Sequence, residues 1–154
     1  MEESIMTGKT LKEQIALKMD LKSASAGSYS PLVLAYAGDA FYELVIRTAV
    51  ISQGNTSVNT LNRKTSSLAK AVAQAQIIHL IMEDLTEEEI HIFKRGRNAN
   101  SATVAKNASI TDYRHATGFE AVIGWLYLGG QERRAIELIE LGLERYAAQK
   151  AAQK

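Results

Sequence analysis

Two segments of the chain place an acidic side chain where a helix rarely keeps one. Ala37-Gly38-Asp39-Ala40 sits inside the most apolar run of the sequence, and Gly118-Phe119-Glu120-Ala121-Val122-Ile123-Gly124 repeats the arrangement 81 residues later. Aspartate is a poor helix-interior residue, and glycine costs roughly 1 kcal/mol there relative to alanine. On a wheel of about 100° per residue, Asp39 shares its face with Leu32, Ala35, Tyr36, Glu43 and Ile46. Glu120 shares its own with Tyr113, Ala116, Thr117, Gly124 and Tyr127. An unpaired carboxylate on such a face is costly to bury. Gly38, Gly118 and Gly124 would let two helix backbones approach closely, so that Asp39 and Glu120 converge. Two converging carboxylates repel unless a cation or a shared proton compensates. Oxygen-only donors on two rigid helices suit Mg²⁺, or Mn²⁺ in its place, with water filling the other positions. The ordinary alternative pairs a half-buried Asp39 with Arg47 or Arg63 and leaves Glu120 at a solvated helix edge. Both arrangements stay open at this point.

A second cluster is basic. Between residues 94 and 114 the chain carries Lys94, Arg95, Arg97, Lys106 and Arg114 against one acid, Asp112, so this stretch is positive in a chain otherwise slightly acidic. The acidic block Glu83-Asp84 and Glu87-Glu88-Glu89 precedes it. Arginine forks, the Asn98 amide and backbone N–H groups around Gly96 suit phosphate and 2′-hydroxyl contacts on a nucleic acid. Tyr113 is the one aromatic residue in the stretch, so duplex-backbone recognition fits better than base stacking. The plainer reading is a solvated basic loop. Its direct continuation into the Glu120 segment favours phosphate docking beside the acidic pair.

The elements that must hold these groups read as helices. Leu11, Ile15, Leu17 and Leu21 suggest a first helix over about residues 9–22. Ser30-Pro31 is an N-cap followed by proline at the first helical position, opening a helix to about Ile51 that Gln53-Gly54-Asn55 ends. Thr56 or Ser57 caps the next segment, one long helix or two, to about Met82. Thr86-Glu87-Glu88-Glu89 fits a capping box for a short helix to about Lys94. Residues 95–108 read as a polar loop, followed by helices over about 109–128 and 131–147. The expectation is an all-α protein with one domain over residues 28–147, an N-terminal extension and first helix over 1–27, and a polar tail or helix extension over 148–154. The tyrosines are expected to keep their hydroxyls at the surface, and His115 reads as a lone surface residue.

Composition excludes several chemistries. With 46% hydrophobic and 23% charged residues in 154, the chain is globular rather than disordered. A formal charge of +1 means that any nucleic-acid binding relies on a local patch. Cysteine is absent, which removes disulfides, thiolate nucleophiles and cysteine-ligated metals. The three histidines, His79, His91 and His115, form no metal-binding motif. No apolar run approaches the roughly 20 residues of a membrane span, and the N-terminus lacks the layout of a secretion signal. A soluble, cytoplasmic protein is expected.

Leu34-Ala35-Tyr36-Ala37-Gly38-Asp39-Ala40-Phe41-Tyr42-Glu43-Leu44 resembles the signature helix of the ribonuclease III family, and Phe119-Glu120-Ala121-Val122-Ile123-Gly124-Trp125-Leu126-Tyr127-Leu128 resembles that family's second acidic helix. Thr60-Leu61-Asn62-Arg63 is similar to a middle segment of the family, and the likeness covers about residues 28–145. Family members usually carry further acids where this chain has Leu32, Ala35 and Thr117. Lys94-Arg95-Gly96-Arg97-Asn98 and Ala116-Thr117-Gly118-Phe119-Glu120 resemble the short Mini-III branch, which lacks the double-stranded RNA-binding domain.

The resemblance implies a ribonuclease III-like helical endonuclease domain that cuts double-stranded RNA as a homodimer and matures the large-subunit ribosomal RNA precursor. A ribosomal protein is a candidate helper. Asp39 and Glu120 would be the retained catalytic and metal-holding pair, with Mg²⁺ as cofactor. Lys94, Arg95, Arg97, Asn98 and Lys106 would bind RNA. Missing outer acids leave two competitors: a non-catalytic helical dimer that binds structured ribosomal RNA, and a protein–protein adaptor built on the Leu32–Ile51 helix.

Overall fold

The computed structural model describes residues 8–22, 24–99 and 109–154. They form seven α-helices: α1 (Leu11–Met19), α2 (Pro31–Ser52), α3 (Val58–Ala69), α4 (Ala71–Ile81), α5 (Glu87–Asn98), α6 (Ile110–Leu128) and α7 (Glu132–Ala152). No strand occurs among the described residues, as expected for the all-α class. Side-chain oxygens cap five helix starts. Thr10, Ser30, Ser57, Thr86 and Ser109 each accept a backbone N–H three residues on. Each such cap contributes about 1 kcal/mol by satisfying a donor that the helix cannot. Pro31 follows the Ser30 cap as anticipated.

The centre of the molecule is α6. Nine of its 19 residues are buried, on all sides, so it must be enclosed by other helices. α2, α5, α4 and α7 pack around it, while α3 leans on α2. Leu34, Tyr42 and Ile46 of α2, Ile77, Ile78 and Ile81 of α4, Phe119, Ile123 and Leu126 of α6, and Ile139 of α7 are fully enclosed. Each such side chain contributes about 1.5–3 kcal/mol of burial. The tyrosine expectation fails at Tyr42. Its ring packs edge-on against Phe119, centroids 5.4 Å apart, and its hydroxyl donates to the Leu68 carbonyl at 2.7 Å.

The structure decides two readings that the sequence leaves open and moves one boundary. The middle segment is two helices, broken at Lys70, whose extended backbone (φ −68°, ψ 155°) ends α3 and caps α4. α5 runs to Asn98 rather than stopping near Lys94. The C-terminal repeat extends α7 as far as Ala152.

A buried ion pair locks α5 to α7. Glu89, 2% exposed, completes the Thr86 capping box and accepts two bonds of 2.9 Å from the Arg134 guanidinium. Burial alone would raise the Glu89 carboxyl, but Arg134 and Thr86 outweigh it and hold the group below its usual value. Arg134→Ala strands this carboxylate and is expected to cost about 3 kcal/mol at neutral pH. Because the folded-state value is depressed, the contribution is complete above about pH 4.5, the ordinary value, and fades as acid protonates Glu89. Urea unfolding of both proteins at pH 7 and pH 3 checks this: the gap between them narrows in acid.

Candidate active site

The two helices that carry the acids touch backbone to backbone. A Cβ added at Gly38 would overlap the Glu120 carbonyl oxygen, and would lie 2.7 Å from its carbonyl carbon and 2.8 Å from the Gly124 nitrogen. At Gly124 an added Cβ would overlap the Leu34 carbonyl oxygen and lie 2.9 Å from the Gly38 nitrogen. The crossing of α2 and α6 therefore admits only glycine at both positions. Gly118 is the next tightest of these, under Phe93 of α5, where an added Cβ would meet the ring at 2.7 Å.

This crossing brings Asp39 and Glu120 into hydrogen-bonding contact. Asp39 is exposed and Glu120 half-buried, so the pair opens to the surface on the Asp39 side. Burial pushes the Glu120 carboxyl up to about 9, helped by its hydrogen bond to Asp39 and by Asp39's charge. With its carboxyl raised this far, Glu120 holds a proton at neutral pH, one way of relieving the repulsion between converging carboxylates. Among the described residues no cation acts on Glu120; the opposing influence is the amide of Gln74. The arginines of the ordinary alternative are engaged elsewhere. Arg47 pairs with Glu43 at 2.7 Å, and Arg63 donates to the Thr60 hydroxyl at 3.3 Å.

Gln74 was missed in the sequence. It lies on α4 among buried alanines and isoleucines, and with Gln76 two residues on the sequence does not say which amide is buried. Among the described residues no group of three or more acidic or imidazole side chains gathers around one point. The donor set is therefore two carboxylates with an amide beside them.

The basic cluster is a helix end, not a loop. Lys94 and Asn98 are exposed on the last turns of α5, and Arg95 and Arg97 are partly exposed. Gly96 between them faces α6, where an added Cβ would meet the Ala121 Cβ at 2.8 Å and the Gly118 Cα at 2.9 Å. The basic turn thus sits directly on the α6 turn that carries Glu120. Its charges also face the negative end of the α5 dipole. Arg97 donates from Nε to the Asn98 side chain at 3.2 Å, and its guanidinium lies 5.7 Å from the Phe93 ring centre. Phe93 in turn stacks on His115, which meets His79 with ring centres 4.6 Å apart. His115 is thus a half-buried packing residue, not a lone surface one. Lys106 lies outside the described residues.

The Ribonuclease III domain family matches residues 32–131, which contain both acids. A mini-ribonuclease 3 of Clostridium tetani is 53% identical over 130 residues, covering 84% of this chain and 83% of that protein. One of Brevibacillus brevis is 48% identical over 111 residues, covering 72% of this chain and 83% of its own. A crystal structure of a Fusobacterium nucleatum protein superposes with a TM-score of 0.70 at 34% identity, over 76% of this chain and 93% of that one. An all-helical core around α6, the glycine-only crossing that joins two acids, and relatives this similar along most of their length lead to one conclusion: the chain belongs to the ribonuclease III family of endoribonucleases.

Proposed function

We propose that the protein is a Mg²⁺-dependent endonuclease of double-stranded RNA, with Asp39 and Glu120 as catalytic pair and cation ligands and Mn²⁺ able to substitute. The observation that carries this reading is the convergence of two carboxylates, with no basic partner acting on Glu120 among the described residues. The residues fit a hard divalent cation, since the donors are oxygens fixed on two helices that cannot separate. When bound, such a cation activates water and offsets charge on the scissile phosphate and leaving oxygen. Glu120 must give up its proton to serve, and Asp39, at the exposed side, faces incoming substrate. Lys94, Arg95, Arg97, Asn98 and Lys106 are assigned to the RNA backbone, because the described members of this set sit on the turn packed against the Glu120 segment.

The catalytic unit is assigned to residues 28–147. A homodimer is part of the proposal. Tyr36 is 83% exposed, and Leu32, Val33 and Leu44 on the same helix are exposed as well, a run of apolar side chains that a second copy would cover. The relatives' name, mini-ribonuclease 3, and the family's action on duplex RNA support precursor large-subunit ribosomal RNA as substrate, in the cytoplasm, with a ribosomal protein as candidate helper. Among the described residues no helix is long and apolar enough to cross a membrane.

Incubating the protein with precursor ribosomal RNA and Mg²⁺ is expected to give defined double-strand cuts, abolished by EDTA and by Asp39→Asn. RNA binding without cleavage would favour the non-catalytic dimer instead. Arg95→Ala with Arg97→Ala is expected to weaken duplex binding and to flatten its log–log salt slope by about 1–2, near 0.9 per lost phosphate contact. An unchanged slope in a filter-binding series would remove these two residues from the RNA surface.

A further inference from the structure

The Gln74 amide has one end that the fold uses and one that it leaves unpaired. Gln74 is 2% exposed on an α4 face shared with Ile77, Ile78 and Ile81. Its Nε2 donates to the Ala69 carbonyl at 2.8 Å, bridging the break between α3 and α4. That acceptor fixes which end of the amide is nitrogen, because a carbonyl cannot donate. The same amide acts on Glu120, whose carboxyl it lowers against the effect of burial, while Oε1 is buried without a partner. An unsatisfied buried carbonyl is costly, and a leucine or methionine of similar size would avoid it. Such an orphan calls for an explanation.

We propose that Gln74 is a positioning residue of the cation site, its N–H orienting the Glu120 carboxyl and its free Oε1 accepting a hydrogen from water in the cation's hydration shell. The inference rests on the reading of Asp39 and Glu120 as the cation ligands. A site with only two carboxylates leaves several positions of a six-coordinate cation to water, and those waters need acceptors. Gln74 supplies one from a third helix without adding a charge. Partners of this kind, one step removed from the ion, typically change affinity about 10- to 100-fold.

Mn²⁺ binding, followed by electron paramagnetic resonance, tests this on the wild-type protein, Gln74→Leu, Gln74→Met and Asp39→Asn, with melting in EDTA as the folding control. Both Gln74 variants are expected to fold and to melt within a few degrees of the wild type, because the orphan oxygen is gone but the Ala69 carbonyl loses its donor. They are also expected to bind Mn²⁺ about tenfold or more weakly and to need correspondingly more Mg²⁺ for half-maximal cleavage. Asp39→Asn is expected to lose Mn²⁺ binding outright. Wild-type affinity in either folded Gln74 variant, with binding lost in Asp39→Asn, would overturn the role of Gln74 and leave the acidic site standing. Unaltered affinity in all three would overturn both.

Discussion

Alanine at position 38 is expected to abolish cooperative folding, or to cost more than about 5 kcal/mol, the range reached by few single substitutions. The added methyl overlaps the Glu120 carbonyl oxygen and sits 2.7 and 2.8 Å from two further backbone atoms. No side chain can rotate away to make room. The helices would have to separate by more than an ångström along the most buried contact of the molecule, loosening Phe119, Ile123 and Leu126 together. A domain of this size has about 5–15 kcal/mol in total. Gly142→Ala provides the contrast. There the added Cβ meets the Ile77 Cγ2 at 2.5 Å, the end of a side chain, and a loss of about 1–3 kcal/mol is expected. Urea denaturation followed by circular dichroism ranks the two. A Gly38→Ala protein that unfolds near the wild-type midpoint would mean that α2 and α6 do not cross as described.

Glu120→Gln is expected to do two opposite things. Cleavage falls about a thousandfold or more, the several kcal/mol that cation-assisted charge stabilisation contributes. Stability in EDTA at pH 8 rises by about 1–2 kcal/mol, a figure kept well below the full shift because the carboxyl is only half-buried. The sign follows from the direction of the shift. The Glu120 carboxyl is raised from 4.5 to about 9, so the folded state holds a proton that the unfolded chain releases. Stability is therefore complete below about 4.5 and declines as pH rises towards 9. Glutamine removes that decline. Melting in EDTA at pH 5 and pH 8 is expected to show the two proteins alike at the lower pH and the variant ahead at the higher. A variant less stable than wild type at pH 8 would mean that the carboxyl is held by a favourable partner after all.

Both effects meet at a place that could be read without coordinates. A glycine beside an aspartate in an apolar helix contradicts helix propensity twice, and Gly118 and Gly124 repeat the glycine half around Glu120. Tertiary contact resolves it, since the glycines are the crossing and the acids its neighbours. The caps at Ser30 and Thr86 were equally legible, because a hydroxyl three residues before the N–H it accepts is local chemistry. Gly96 misled for the opposite reason. A glycine among charged residues reads as a loop, but here it continues α5 because α6 presses against it. Lys70 ends a helix with no glycine or proline to announce it. Glu89 looked like one more acid of a solvated capping box, and only the fold brings Arg134 from 45 residues away to bury it. Gln74 gains meaning through Glu120, 46 residues further on.

The most direct measurement is a Mn²⁺ titration of the metal-free protein at pH 8, with Asp39→Asn and Glu120→Gln alongside. The proposed site requires saturable binding by the wild-type protein, accompanied by proton release as Glu120 ionises, and its loss in both variants. Equal binding by all three, with no proton released, would show that these carboxylates meet for some other purpose.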